Sequence, residues 1–152
     1  MKKLSRQSGI GLILELGAGV KITINKPDGK SSRTVVLDNW VTNFQDAIEV
    51  PAKSYRLKDY CGANFFKRKV GLSAQSVYKM ITNGDPDGAE LFVEYGSHVG
   101  SLIANLETLL KPARIQLTGP MTKTYDAWVH AMGKTRKNHL GKKPKVRIMV
   151  NS

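Results

Sequence analysis

The pattern of apolar and polar positions divides the chain into two stretches of different period. Gly11 to Leu16 is a nearly unbroken apolar run, as in a buried strand, and Gly17-Ala18-Gly19 supplies a tight turn after it. Val20 to Asn25 then alternates apolar with polar residues, which predicts a second strand. Pro27-Asp28-Gly29 is a turn signal, and Thr34 to Leu37 reads as a third strand. These elements make a small antiparallel meander. Between Asn39 and Ala52, Trp40, Phe44 and Ile48 are spaced four apart, which fits one face of a short helix closed by Val50-Pro51.

Helical spacing dominates from Leu57 to Ala113. Leu57 to Lys69 carries Tyr60, Phe65 and Phe66 as apolar anchors, with Gly71 as its C-terminal cap. Ser73 suits the N-cap of a helix over Ala74 to Thr82, with Val77, Met80 and Ile81 inward and Asn83-Gly84 as the stop. Asp85-Pro86 opens the longest helix, with Asp at the N-cap and Pro in the first turn. Its apolar stripe is Leu91, Phe92, Tyr95, Val99, Leu102, Ile103, Leu106, Leu109 and Leu110. Gly96, Ser97, Gly100, Ser101 and Ala104 lie beside that stripe and permit close packing, and Pro112 ends the helix. Arg114 to Leu117 predicts a short strand that breaks at Thr118-Gly119-Pro120. A helix over Thr122 to Met132, with Trp128 and Val129 inward, and a strand over Lys145 to Val150 complete the order. Helix, strand, turn, helix, strand in succession implies a right-handed α/β crossover.

Composition narrows the class. The 152 residues suit one ordinary domain, and 41% hydrophobic with 24% charged residues argues against global disorder. No apolar run reaches the roughly 18 to 20 residues of a membrane span. The basic start Met1-Lys2-Lys3-Leu4 is interrupted by Arg6-Gln7-Ser8 before any signal-peptide core develops, so a cytoplasmic location is expected. The single cysteine, Cys61, excludes an intrachain disulfide and a cysteine-rich zinc site within one chain. Lys plus Arg is 24 against 12 for Asp plus Glu, a net charge of +12. Part of the surplus lies in an acid-free stretch from Ala127 to Ser152 that carries Lys134, Arg136, Lys137, Lys142, Lys143, Lys145 and Arg147. A field of that sign attracts phosphate, but a solvated basic loop explains it as well. No zinc finger, aromatic platform or helix-turn-helix accompanies it.

Candidate chemistry is concentrated in glycine turns. Gly29-Lys30-Ser31 ends like a phosphate-binding P-loop, but Ile24 stands where that loop needs its first glycine. Gly17-Ala18-Gly19 could cradle phosphate through backbone N–H groups, or could be an ordinary hairpin. Thr118-Gly119-Pro120 lies where a strand turns into a helix, the place where open α/β sheets bind ligands, and its glycine would let a flat ring approach the backbone. His98, His130 and His139 are far apart, and no serine elbow or paired-carboxylate signature appears. Asp85 and Asp87 read as helix-start residues, and Cys61 as a small buried residue.

From Leu57 onward the sequence resembles the ROK family (repressors, uncharacterised reading frames and sugar kinases). Leu57-Lys58-Asp59-Tyr60-Cys61-Gly62 is similar to that family's L-E-D-Y-x-S-G helix start. Asn83-Gly84-Asp85-Pro86 resembles its G-D-x-x-A helix, and Val99 to Leu106 its L-G-x-x-L-A-N-L run. Pro112 to Gly119 resembles P-E-x-I-V-L-G-G. Ile13 to Lys30 resembles either the family's opening strand-turn-strand or its second phosphate hairpin, with departures at Glu15 or Ala18.

The resemblance implies an α/β chain with part of an actin-like ATPase (ribonuclease H-like) fold. Residues 1–52 would form a β-meander with a glycine hairpin, a possible remnant of a phosphate-binding lobe. Residues 53–152 would form the C-terminal lobe. It also implies ATP-dependent phosphorylation of a hexose, with Gly17, Ala18, Gly19, Thr118, Gly119 and Pro120 facing ATP and its Mg, and a homodimer or a complementing N-terminal lobe as partner. The family's catalytic G-N-D-x-N, its E-x-G-H stretch and its zinc-binding C-x-C-G-x-x-G-C are all missing from the sequence. The expected protein is therefore a sugar-kinase relative that is catalytically incomplete as this chain. The alternatives are a sugar- or partner-binding module of the ROK repressor type, and nucleic-acid binding through the basic C-terminal region.

Overall fold

The structure, a computed structural model, describes residues 9–40 and 56–151. Strands β1 (Gly11–Leu16), β2 (Val20–Asn25) and β3 (Ser32–Val36) form the antiparallel meander. Helices α1 (Leu57–Cys61), α2 (Asn64–Val70), α3 (Ala74–Thr82) and α4 (Pro86–Leu110) follow. Strand β4 (Arg114–Thr118), a 3₁₀ turn (Pro120–Thr124), helix α5 (Tyr125–Leu140) and strand β5 (Ile148–Val150) end the chain. All five strands lie in one sheet of order β3-β2-β1-β4-β5. β1 is in the middle, antiparallel to β2 and parallel to β4, which is in turn parallel to β5.

The alternation of side chains explains how the sheet is covered. Leu12, Leu14 and Leu16 of β1, Val20 and Ile22 of β2, and Ile115 and Leu117 of β4 are buried in a single core with the helices. The residues between them, among them Glu15, Lys21 and Gln116, are exposed or half-buried. Phe65, Phe66, Phe92, Tyr95 and Trp128 fill the helical side of that core and are fully buried. Their rings meet edge-on or tilted; Tyr95 and Trp128, for example, are 5.4 Å apart between centroids and nearly perpendicular.

The small-residue row on α4 has the expected use. A Cβ at Gly96 or Gly100 would stand 2.4 Å from the carbonyl oxygen of Trp128 or Met132 on α5. Only a glycine surface lets the two helices approach so closely. The caps also form as expected. Ser73 accepts a hydrogen bond from Ser76 N at 3.1 Å, and Asp85 accepts one from Asp87 N at 2.9 Å. The helix proposed near Trp40 and Phe44 lies mostly outside the described residues.

Several boundaries differ from the sequence expectation. The helix expected over Leu57 to Lys69 is two helices, because the backbone breaks at Gly62-Ala63, where Ala63 N donates to Gly17 O at 2.7 Å. Leu109, expected on the buried stripe, is 72% exposed, whereas Glu107 and Leu110 of the same turn are turned toward the protein, so Leu109 lies off the buried face. The helix expected over Thr122 to Met132 begins as the 3₁₀ turn and continues to Leu140, so half of the presumed basic loop is helical. The final strand is confined to Ile148–Val150.

That extension of α5 buries Arg136. Its guanidinium grips the Glu107 carboxylate of α4 with two bonds, Nε to Oε1 at 2.5 Å and Nη2 to Oε2 at 2.9 Å. Nη2 also donates to Val146 O at 2.7 Å, which ties the segment before β5 to the helix pair. The planar fork matches the carboxylate, and each partner would otherwise be a buried, unpaired charge. Arg136→Ala is expected to lower stability by about 3–5 kcal/mol in denaturant unfolding. The Glu107→Leu, Arg136→Leu double variant should lose less than Arg136→Ala alone; equal or greater loss would contradict this account.

Candidate functional site

Parallel pairing of β1 and β4 sets the ends of these two strands side by side, with Glu15 in register with Thr118. The turns that follow, Gly17-Ala18-Gly19 and Thr118-Gly119-Pro120, therefore meet at one corner of the sheet. A Cβ on Gly17 would lie 2.9 Å from Pro120 Cδ. A Cβ on Gly119 would lie 2.5 Å from Leu16 O, and Gly119 has a φ of 99°, a backbone conformation essentially reserved for glycine. The six residues singled out in the sequence, at least 99 positions apart between the two turns, thus share one rim.

Neighbouring segments hold the rim in place. Thr122 Oγ1 donates to Gly119 O at 2.7 Å and closes the turn into the 3₁₀ segment. The α1–α2 junction supports the hairpin from beneath through the Ala63 N to Gly17 O bond. Ala18 at the tip and Pro120 are exposed, Thr118, Gly119 and Gly19 are half-buried, and Gly17 is buried with its N–H donating to Gly19 O at 3.0 Å, so the rim presents the backbone of the other residues to solvent.

Asp38 was not singled out from the sequence, yet it belongs to this corner. It follows β3, whose end lies beside the start of β2, and its Oδ1 accepts a hydrogen bond from Val20 N at 2.6 Å. Its two carboxylate oxygens would lie 2.5 and 2.6 Å from a Cβ on Gly19. The hairpin thus already holds one anion, against the donor at its exit. The signal for it in the sequence is an acidic residue directly after the third strand of a meander, which acquires meaning only once that meander closes.

The remaining candidates have structural duties. Lys30 N and Ser31 N both donate to Asp28 Oδ1, at 2.8 and 2.9 Å, so the Gly29-Lys30-Ser31 segment is a carboxylate-capped turn at the other end of the sheet. Backbone donation from Ser31, followed by that from Lys30, holds the Asp28 carboxyl below its usual range. Cys61 is buried, and burial pushes its thiol up, away from the reactive thiolate. His98 is buried against Tyr60 with its Nε2 3.5 Å from Glu94 Oε2, whereas His130 and His139 are exposed. Among the described residues no group of three or more His, Cys, Asp or Glu is arranged to hold a metal ion, and no helix is long and apolar enough to cross a membrane.

Comparison with known proteins adds a fold-level parallel. No protein-family model matches the sequence, and no curated protein matches it either. Solved structures do match. The ROK hexokinase from Thermus thermophilus superposes with a TM-score of 0.72 at 14% identity, over 94% of this chain and 52% of the hexokinase. The fold is that of about half a ROK sugar kinase. A ROK glucokinase from Streptomyces griseus, in complex with glucose and AMPPNP, gives a TM-score of 0.67 at 14% identity, over 94% of this chain and 55% of its own. A ROK-family transcriptional regulator, a homologue of the E. coli MLC protein, gives 0.68 at 13% identity, over 96% and 42%. The actin-like α/β architecture and the likeness to ROK proteins expected from the sequence are both present, and the chain spans about half the length of these structures.

Two substitutions test the construction of the corner. Gly119→Ala should cost about 3 kcal/mol or more, because strain at positive φ adds to a clash with the Leu16 backbone. Asp38→Ala should cost about 1–3 kcal/mol by orphaning Val20 N, and Asp38→Asn, which keeps the acceptor oxygen, distinctly less. Both are read from denaturant midpoints; a neutral Gly119→Ala or equal Asp38 variants would refute the packing described.

Proposed function

We propose that this chain is a ROK-family, sugar-kinase-like protein whose described part is the nucleotide-facing lobe, with ATP-dependent phosphorylation of a hexose as the family reaction. Supporting this reading above all is the convergence of the glycine hairpin and the Gly119 turn at the C-terminal ends of parallel β1 and β4. Ligands of open α/β sheets bind at such an edge. In this reading Ala18 and Gly19 offer backbone to the polyphosphate, Gly17 keeps the hairpin tight against Pro120, and Thr118, Gly119 and Pro120 offer a flat backbone surface to the nucleotide ring. Asp38, held against the hairpin, would in this reading supply a carboxylate near a phosphate-bound Mg.

Phosphoryl transfer requires more than a nucleotide rim. It needs an acceptor held in line and a placed base to take the hydroxyl proton. The sequence has no G-N-D-x-N segment to supply that aspartate. The chain is therefore catalytically incomplete by itself and depends on a complementing lobe, or on a second copy, for the acceptor hexose. The work of such a protein is cytoplasmic, where ATP is at hand.

The likeness to the ROK transcriptional regulator, together with the missing base, favours a second reading: a non-catalytic module that binds sugar or a partner protein. Calorimetric titration separates the two. ATP should bind the isolated chain, and Ala18→Glu, which places a negative charge at the exposed tip without touching the core, should weaken that binding about tenfold or more at unchanged melting temperature. Indifference of nucleotide binding to Ala18→Glu, or no binding at all, sinks the nucleotide rim. Hexose-dependent ADP release by the isolated chain would overturn its incompleteness.

A further inference from the structure

A concave feature lies at the opposite end of the sheet from the glycine rim. Helices α4 and α5 both run away from that rim, and their C-terminal ends, with the segment leading into β5, enclose an open cleft of about 430 Å³. The volume is within the roughly 300–1,000 Å³ typical of small-molecule sites. Its cationic lining comes from two segments: Lys111 at the end of α4, and Lys142 and Lys145 on the final loop. Leu140, Pro144 and Val146 provide an apolar wall.

The electrostatic balance favours an anion. Glu107 also lines the cleft, but its charge is matched by the two bonds from Arg136. The two helix C-termini contribute about half a negative charge each, roughly one in total, against three ammonium groups. No salt bridge to Lys111, Lys142 or Lys145 is found among the described residues. The positions of the cations are not accidental to a loose loop, since the donation from Arg136 to Val146 O anchors the segment that carries Lys145. His139, also in the lining, is oriented by a 3.1 Å contact between its Nε2 and Ser101 Oγ.

We infer that this cleft binds a small phosphorylated organic molecule, with the phosphate among Lys111, Lys142 and Lys145 and the organic body against Leu140 and Val146. A cleft lined by three exposed lysines suits a compact anion better than an extended polymer, which would instead need charge spread along a surface. Lys134, Lys137 and Lys143 are exposed on the same stretch but do not line the cleft, so they separate the two kinds of binding.

Calorimetry on the full chain with inorganic phosphate, glycerol 3-phosphate and glycerol tests the inference, since none of these is a nucleotide, a polyphosphate or a hexose. Both phosphates should bind and glycerol should not. Lys142→Gln with Lys145→Gln should weaken phosphate binding at least about tenfold, while Lys134→Gln with Lys137→Gln should change it less than about twofold. Equal losses in the two double variants would show a diffuse basic surface and overturn the site. So would absence of phosphate binding, or a duplex oligonucleotide that binds more tightly than glycerol 3-phosphate and displaces it. ATP affinity of the Lys142, Lys145 double variant, compared with wild type, tells this cleft apart from the glycine rim, because the rim should be unaffected.

Discussion

The pairing of β1 with β4 is the constraint on which the molecule depends. It is a parallel pairing between residues about a hundred positions apart, and it joins the meander to the crossover in one sheet. A parallel pair demands that the intervening chain return to the same end before the second strand begins. Helix α4 makes that return, and its 25 residues are enough to span the sheet and more. Once the return is made, two glycine turns that are remote in sequence must share a corner.

The corner and the core restrict each other. Gly17 and Gly119 have no room for a side chain because β1 and β4 are in direct register and their turns cross at once. Gly96 and Gly100 have none because α4 and α5 are pressed together over the same sheet. Aromatic residues occupy the thicker part of the core, where α2, α4 and α5 converge, and the small residues mark where backbones meet. The Arg136–Glu107 pair then clamps the far end of the α4–α5 contact and fixes the path of the chain into β5. The protein thus has a rim made mainly of backbone at one end and a cleft made mainly of side-chain charge at the other.

This polarity is consistent with the two kinds of ligand inferred. A rim that presents backbone amides and glycine surface suits a nucleotide, whose phosphates and ring need close approach. A cleft with three lysines suits a phosphate on a smaller body. A sheet buried on one face by a pair of closely packed helices is also a rigid means of keeping two such places at a set separation, and the far border of that helix pair is pinned by hydrogen bonds rather than by apolar contact alone.

The sequence by itself determined the local elements. The hairpin at Gly17-Ala18-Gly19, the caps at Ser73 and Asp85, the apolar stripe of α4 and the turn at Gly119 were all legible, because each depends on the conformational preferences of a few adjacent residues. The motif order also carried the ROK likeness. Tertiary structure alone decided the break at Gly62-Ala63, which answers to a carbonyl on the distant hairpin, and the burial of Arg136 inside what read as a basic loop. It likewise decided the place of Asp38 at the corner and the gathering of Lys111, Lys142 and Lys145. The physical reason is common to all of them: a hydrogen bond or charge contact between segments far apart along the chain leaves no periodicity and no local propensity, and exists only after the backbone has brought its partners together.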